Sequence, residues 1–482
     1  MNEILEGVLS EFEELAKIPR PSKHEEQVSN YLKKYFEDLN LSVEQDRYKN
    51  IIAEIPASPG RDNAPLTILQ AHMDMVCVAN NNYDYNPVTD PIKLIRTEKY
   101  LQADNTSLGA DNGIGVAMIL YLAKNHKNFT HGKIRVIFTT DEEQGMGGAI
   151  NISDSFFKDA KFLINCDTEN FDEIIVGSAG SVRVEFTKKI NYVEPDENLP
   201  NSFLIKISGL RGGHSGLEID SHRANALKVM RNFLRLVKGR GNFQVAGGYG
   251  GTAVNVIPSS VEAVIVTNAS LENLNQCAEM LKFQIKSKYD KGEPDFKITF
   301  ENVERPLKVY STKDFSEFTN LITIVHSGVY AKNDSMVETS ANIGVVRTVD
   351  GVLKVNLLAR SNITGMLSDF VTMYEQAGAM TNFDVKCSKP SPTWKSNPAS
   401  FLSRIMAKIF KDQNNYAARV HAIHVGLECG YFAEKNKNLD IVSIGTTNEN
   451  IHSPQERLLL KTVAPEVNLI RSTLEKISEL ED

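Results

Sequence analysis

Short, almost wholly apolar runs that each stop at a cluster of acids or histidine constrain this chain most. Leu66–Gln70 leads into His72-Met73-Asp74, and Lys133–Thr139 into Asp141-Glu142-Glu143. Phe162–Cys166 ends at Asp167, and Ile441–Gly445 precedes Asn448-Glu449-Asn450-Ile451-His452. Runs this short and apolar read as buried strands. Between the first two lies a helix over Gly113–Asn125, with Ile114, Ala117, Met118, Tyr121 and Leu122 on one face. Strands alternating with helices imply an α/β sheet with parallel strands, whose ligands collect beyond the strands' carboxyl ends. Upstream, Ile4, Val8, Phe12 and Leu15 mark a helix over 2–17. Ser22 with Glu25 has the spacing of a capping box, opening a helix with Val28, Leu32 and Phe36 on its face.

At 482 residues the chain exceeds one compact core. The texture changes after about residue 184, where longer strands (Phe203–Ser208, Val261–Asn268, Lys297–Glu301) separate amphipathic helices, one carrying Leu227, Met230, Leu234 and Val237. A similar rhythm recurs near 312–388, and the first texture returns after Pro390-Ser391-Pro392. The expected organisation is one α/β domain, residues 1–184 and 391–482, interrupted by an α+β domain over 185–390. A net charge of −8 is a poor match to nucleic acid or anionic membranes. No apolar run approaches the roughly 20 residues of a membrane span. The five cysteines are never spaced as CxxC, which argues against a disulfide framework or a thiolate metal site. The acidic, amphipathic start does not resemble a signal peptide. A cytoplasmic protein is expected.

His72 and Asp74, two apart on an extended segment, face one side together. Asp111 sits in Gly109-Ala110-Asp111-Asn112-Gly113-Ile114-Gly115, and its two oxygens suit bridging two cations. Adjacent side chains diverge, so Glu142 and Glu143 suit different tasks, one ligating and the other handling protons. With Asp167 and His452 they give two histidines and three carboxylates at element ends, a donor set for two divalent ions of borderline hardness. Three carboxylates against two dications leave a charge that one hydroxide would nearly balance.

The ordered set His-x-Asp, Ala-Asp-Asn-Gly-Ile-Gly, Asp-Glu-Glu, Asp and late His resembles the M20 metallopeptidase family. Gly212-Gly213-His214-Ser215-Gly216, Leu358-Ala359-Arg360-Ser361-Asn362 and His424-Val425-Gly426-Leu427-Glu428-Cys429-Gly430 extend the resemblance toward its aminoacylhistidine dipeptidase branch. The resemblance implies a zinc-peptidase-like catalytic domain with a central, mostly parallel sheet, interrupted by a lid domain. It implies two Zn2+, with Mn2+ or Co2+ as substitutes. His72 and Asp167 would hold one ion, Glu143 and His452 the other, and Asp111 would bridge them. Asp74 would orient His72, and Glu142 would act as general base and then acid toward a metal-bridged hydroxide. A cis peptide would follow Asp111. His214 would stabilise the oxyanion and Arg360 would hold the substrate's terminal carboxylate, assisted by Asn255. Glu428 would receive the free amine. Val425 departs from the small residue expected there, which bears on side-chain selectivity.

The expected activity is hydrolysis of dipeptides, favouring C-terminal histidine. A related tripeptidase, carboxypeptidase or N-acyl-amino-acid hydrolase would use the same ligands. A metal- or peptide-binding protein on the same fold would not need Glu142. The partner is a small peptide, and two arrangements stay open: a single chain, and a homodimer in which His214 acts across subunits.

Overall fold

In a computed structural model, which describes residues 3–289, 293–333 and 336–481, the apolar runs form one eight-stranded sheet. Its centre is parallel, in the order Ile134–Thr139, Leu66–His72, Ala160–Asn165 and Asp440–Ser443. Antiparallel strands flank it: Ile51–Ile55 and Ser42–Gln45 on one side, Glu173–Ser178 on the other. Arg419–Ile423 is outermost. The first of the acid-tipped strands runs two residues further than its apolar stretch, because His72 still pairs with Thr139. All the residues of Leu66–His72 and Ile134–Thr139 are buried, as expected for strands covered on both faces.

Helices Glu3–Ala16, Ala110–Lys124 and Val463–Ile477 pack on one another, and Phe401–Asn414 packs on the last of them. Phe12, Phe36, Phe138, Ile164 and Phe410 are fully buried in this core. Each such side chain contributes about 1.5–3 kcal/mol by leaving water. Regular helix geometry in Ala110–Lys124 begins only after Asn112, as the apolar face from Ile114 onward implies; Asp111 and Asn112 are non-helical, and the peptide bond between them is cis.

The capping box expected at Ser22 and Glu25 does not form. The helix runs Glu26–Asp38 with Glu25 at its N-cap and no side-chain cap. Ser22 Oγ instead donates to Asp74 Oδ2 (2.7 Å). Glu25 Oε1 accepts the N–H groups of Lys23 (2.8 Å) and Asp141 (2.9 Å). A buried carboxylate such as Asp74 costs more to leave unpaired than a helix end does.

The chain divides into two compact units. The first runs to Ser178 and resumes at Trp394–Ala422 and from Leu427. The second is Ala179–Thr393 with Ile423–Gly426. The change of texture near 184 lags the boundary because Gly180–Lys189 pairs along its whole length with Val352–Ser361 inside the second unit. Ile423–Gly426 joins that unit through Val425 O, which accepts from Ala179 N–H (3.0 Å), and through His424, whose Nε2 lies 2.8 Å from Ser340 Oγ.

The second unit holds an antiparallel sheet. Its order is Lys297–Asn302, Asn201–Ser208, Val261–Thr267, Phe243–Gly250, Val337–Val349, Val352–Ser361, Gly180–Lys189 and Asp384–Cys387, with Gly328–Lys332 paired to Val337–Val349. Helix Ala226–Lys238 buries Leu227, Met230, Leu234 and Val237, and Asn225 caps it by accepting from Leu227 N–H. Helix Leu271–Lys288 starts with a true capping box, Ser270 with Asn273. No helix among the described residues is long and apolar enough to cross a membrane.

Candidate active site

Five of the expected residues come together: His72, Glu143 and Asp167 at or just beyond the carboxyl ends of parallel strands, Asp111 in the turn that opens Ala110–Lys124, and His452 in the turn after Asn448–Glu449. His72 ends its strand, 1% exposed, with Nε2 3.1 Å from Asp111 Oδ1 and 3.1 Å from Asp167 Oδ1. The other Asp111 oxygen, Oδ2, lies 3.0 Å from His452 Nε2. That nitrogen is also 3.0 Å from Glu143 Oε2. One ligating atom each from His72, Asp111 and Glu143 falls within 4.8 Å of the others. Asp111 is thus placed between two imidazoles, one per oxygen.

This donor set fits a cation better than it fits itself. His72 Nδ1 lies 3.1 Å from the Asp74 backbone carbonyl, the natural place for the ring's one proton when neutral. Nε2 then turns a lone pair toward two carboxylate oxygens. Asp167 Oδ1 is buried, with His72 Nε2 3.1 Å away and no well-aligned hydrogen bond among the described residues. The titration shifts carry the same message. Burial opposes charge on His72, but Asp167 and Asp111 outweigh it and hold the imidazole's pKa well above its usual value. Burial likewise opposes charge on His452, yet Asp111 and Glu143 lift it to about 11. Asp111, against its burial, is held below the usual carboxylate range by the two imidazoles. Burial, with Asp111 adding, pushes Glu143 up to about 7. Burial also raises Asp167.

Asp74 is fully buried, and its carboxylate does more than face His72. The ring's Nδ1 is 3.5 Å from Oδ1, farther than from the carbonyl of the same residue. The carboxylate accepts from Ser22 Oγ and from the N–H groups of Glu142 (3.1 Å) and Glu143 (3.3 Å). It therefore sets the backbone that aims both glutamates. Burial, with the charges of Asp167 and Glu143 adding, holds Glu142 well above its ordinary pKa.

Glu428 is 0% exposed. Its Oε2 accepts from Gln70 Nε2 (2.6 Å) and Thr139 Oγ1 (2.8 Å), so it sits among the strands behind His72. In the second unit, His214 lies on Gly213–His214, paired with Val256–Ile257. Its Nδ1 accepts from Leu217 N–H (3.2 Å), which places the neutral ring's proton on Nε2. Asn255 is exposed, and its carbonyl accepts from Ser215 N–H (2.8 Å). Arg360 is 7% exposed, and its buried Nε has no hydrogen-bond partner among the described residues. Burial, with Arg183 adding, lowers its pKa to about 10. A buried guanidinium in that condition calls for an anion.

A model of peptidase family M20/M25/M40 matches residues 68–476. The chain belongs to this family. It is a peptidase, a hydrolase of peptide bonds. The chain is 31% identical over 477 residues to the cytosol non-specific dipeptidase of Escherichia coli K12, covering 97% of this chain and 96% of that one. The crystal structure of aminoacylhistidine dipeptidase from Vibrio alginolyticus is similar over 99% of this chain and 97% of that chain, with a TM-score of 0.83 at 30% identity. An M20 family metallo-carboxypeptidase from Sulfolobus solfataricus shares the fold over the full length of both chains, with a TM-score of 0.57 at 13% identity.

Several residues of this M20 peptidase escaped the sequence reading. Glu169 is a further carboxylate beside the cluster, raised to about 8 by burial and by Asp111 and Asp167. Arg20 and Glu456, each 2% exposed, bond to the backbone around Asp111. Ser22 and Gln70 serve Asp74 and Glu428. The available signals were weak: Arg20 stands between two prolines, and Glu456 follows His452 by four residues in a stretch that reads as a surface turn.

Proposed function

We propose that this M20 peptidase is a cytoplasmic dipeptidase that works with two divalent cations. Zinc is the first choice, with manganese or cobalt as substitutes. His72 and Asp167 would hold one ion, Glu143 and His452 the other, and Asp111 both. The observation that carries this reading is the Asp111 carboxylate, with Oδ1 3.1 Å from one histidine and Oδ2 3.0 Å from the other.

Bound there, the cations supply Lewis-acid polarisation of the scissile carbonyl and make water acidic enough to attack near neutral pH. Glu142, whose carboxyl is held above its ordinary pKa by burial, takes the water's proton and passes it to the leaving amine. Asp74 keeps Glu142 aimed through its bond to the Glu142 N–H. His214 is assigned as donor to the tetrahedral oxyanion, because its Nε2 carries the proton. Arg360 is assigned to the substrate's terminal carboxylate, where a planar fork meets a planar anion. Asn255 assists there, and Glu428 serves to hold Gln70 and Thr139 rather than the substrate amine.

The dipeptide assignment draws on the Escherichia coli and Vibrio alginolyticus relatives, and the preference for C-terminal histidine on the latter alone. The test is a panel of Xaa-His and other dipeptides, tripeptides and N-acyl amino acids on metal-quantified protein. Turnover of dipeptides, fastest with C-terminal histidine and lost on chelation, is expected. Turnover confined to tripeptides or acylated amino acids would contradict the proposal.

A further inference from the structure

Glu456 is a carboxylate aimed at the turn that delivers Asp111. Its Oε2 accepts the N–H groups of Leu108 (2.8 Å) and Gly109 (2.9 Å). Its Oε1 accepts those of Ala110 (2.8 Å) and Asp111 (3.3 Å). Four consecutive backbone donors thus converge on one buried anion. Gly109 makes this geometry accessible: its φ of +69° turns successive N–H groups toward a common point, as in an anion-binding nest. The same turn is held by its carbonyl. Arg20 Nη2 donates to Gly109 O (2.6 Å), while Nη1 donates to Met73 O (3.0 Å) and Asp74 O (3.3 Å). Arg20 therefore ties the Asp111 turn to the strand end that carries His72, and Glu456 ties it to the loop that carries His452. None of these bonds involves the Asp111 carboxylate or a histidine ring nitrogen, so a cation held by those atoms displaces none of them.

We propose that Glu456 is a positioning residue that presets the bridging carboxylate of Asp111, with Arg20 as its counterpart on the turn's carbonyl. This rests on the reading that Asp111 bridges two cations. A glutamine at 456 has the same shape but offers one oxygen, and it turns an NH2 group toward two of the four backbone donors. An aspartate keeps both oxygens with a shorter reach.

The experiment is a Co2+ titration of chelator-treated wild-type, Glu456→Gln and Glu456→Asp proteins, followed by visible absorption. Steady-state kinetics on a dipeptide accompany it, with amide hydrogen exchange across residues 108–111 of metal-free wild type. The wild type is expected to take two Co2+. Glu456→Gln is expected to lose about 10- to 100-fold in Co2+ affinity, the usual range for groups that orient ligands. Its kcat should fall while KM changes less than about twofold, since Glu456 reaches the substrate only through Asp111. Glu456→Asp should recover part of the affinity. Amides 108–111 should be protected in metal-free wild type. Wild-type Co2+ affinity and spectrum in Glu456→Gln would overturn the proposal. Unprotected amides 108–111 would do the same, and they decide the matter if that variant fails to fold. Wild-type protein that takes no Co2+ would remove the bridging reading and this inference with it, a result distinct from the inference failing alone.

Discussion

Glu428 allows a quantitative test in the metal-free protein. It is fully buried, and burial pushes its carboxyl from 4.5 up to about 8, against the pull of His72 and the hydroxyl of Thr139. Between those values the native state keeps a proton that the unfolded chain has lost. Native stability therefore falls as pH rises through this window, by about 1.4 kcal/mol per unit. From pH 5 to pH 7 the loss attributable to this one group is about 2.5 kcal/mol. Glu428→Gln removes the titration. Its amide NH2 takes the place of the hydroxyl that the protonated acid carries at Oε1, the oxygen with no partner among the described residues, so the bonds from Gln70 and Thr139 to the other oxygen are kept. Denaturant unfolding of chelated wild type and variant across this pH range is the assay. Glu143 and Glu169 titrate in both proteins and cancel in the difference. The variant is expected to gain on wild type by about 2–3 kcal/mol between pH 5 and pH 7. Parallel stability curves, or a variant that is less stable at pH 7, would refute the reasoning.

Glu142→Gln is expected to slow dipeptide hydrolysis by about 10²- to 10⁴-fold, the usual contribution of a proton-transferring group, with bound metal unchanged by elemental analysis. Arg360→Lys should raise KM for free dipeptides far more than it lowers kcat, because an ammonium cannot reproduce the guanidinium's two parallel bonds to a carboxylate; steady-state kinetics check the split. Gly109→Ala places a Cβ against Met75 and Arg20 at a φ of +69°. A loss of at least about 1–2 kcal/mol in the metal-free protein is expected by thermal or denaturant melting.

The convergence of His72, Glu143 and Asp167 was legible because parallel strands deliver their carboxyl ends to one edge. An apolar run that stops at His72, Glu143 or Asp167 therefore says where that side chain emerges. His452 was legible only through the ordered motif set, since it sits at a φ of +57° in the turn after Asn448–Glu449, a strand of two residues that leaves no periodicity to read. The groups behind this cluster were not legible. Ser22 and Glu25 have the spacing of a capping box, and only the fold reveals that Asp74 and the Asp141 N–H compete for them. Arg20 and Glu456 look like solvated charges, because partners about 89 and 345 residues away leave no local trace. The inserted unit was visible as a change of strand length. Its edges were not, because the pairing of Gly180–Lys189 and the return of Ile423–Gly426 are tertiary facts.

Anomalous diffraction at the zinc absorption edge, from crystals of the zinc-loaded protein, tests the central claim most directly. Two peaks about 3.5–4 Å apart are expected, one beside His72 and Asp167, the other beside Glu143 and His452, with Asp111 between them. A single peak away from Asp111, or none within reach of these five side chains, would contradict the account.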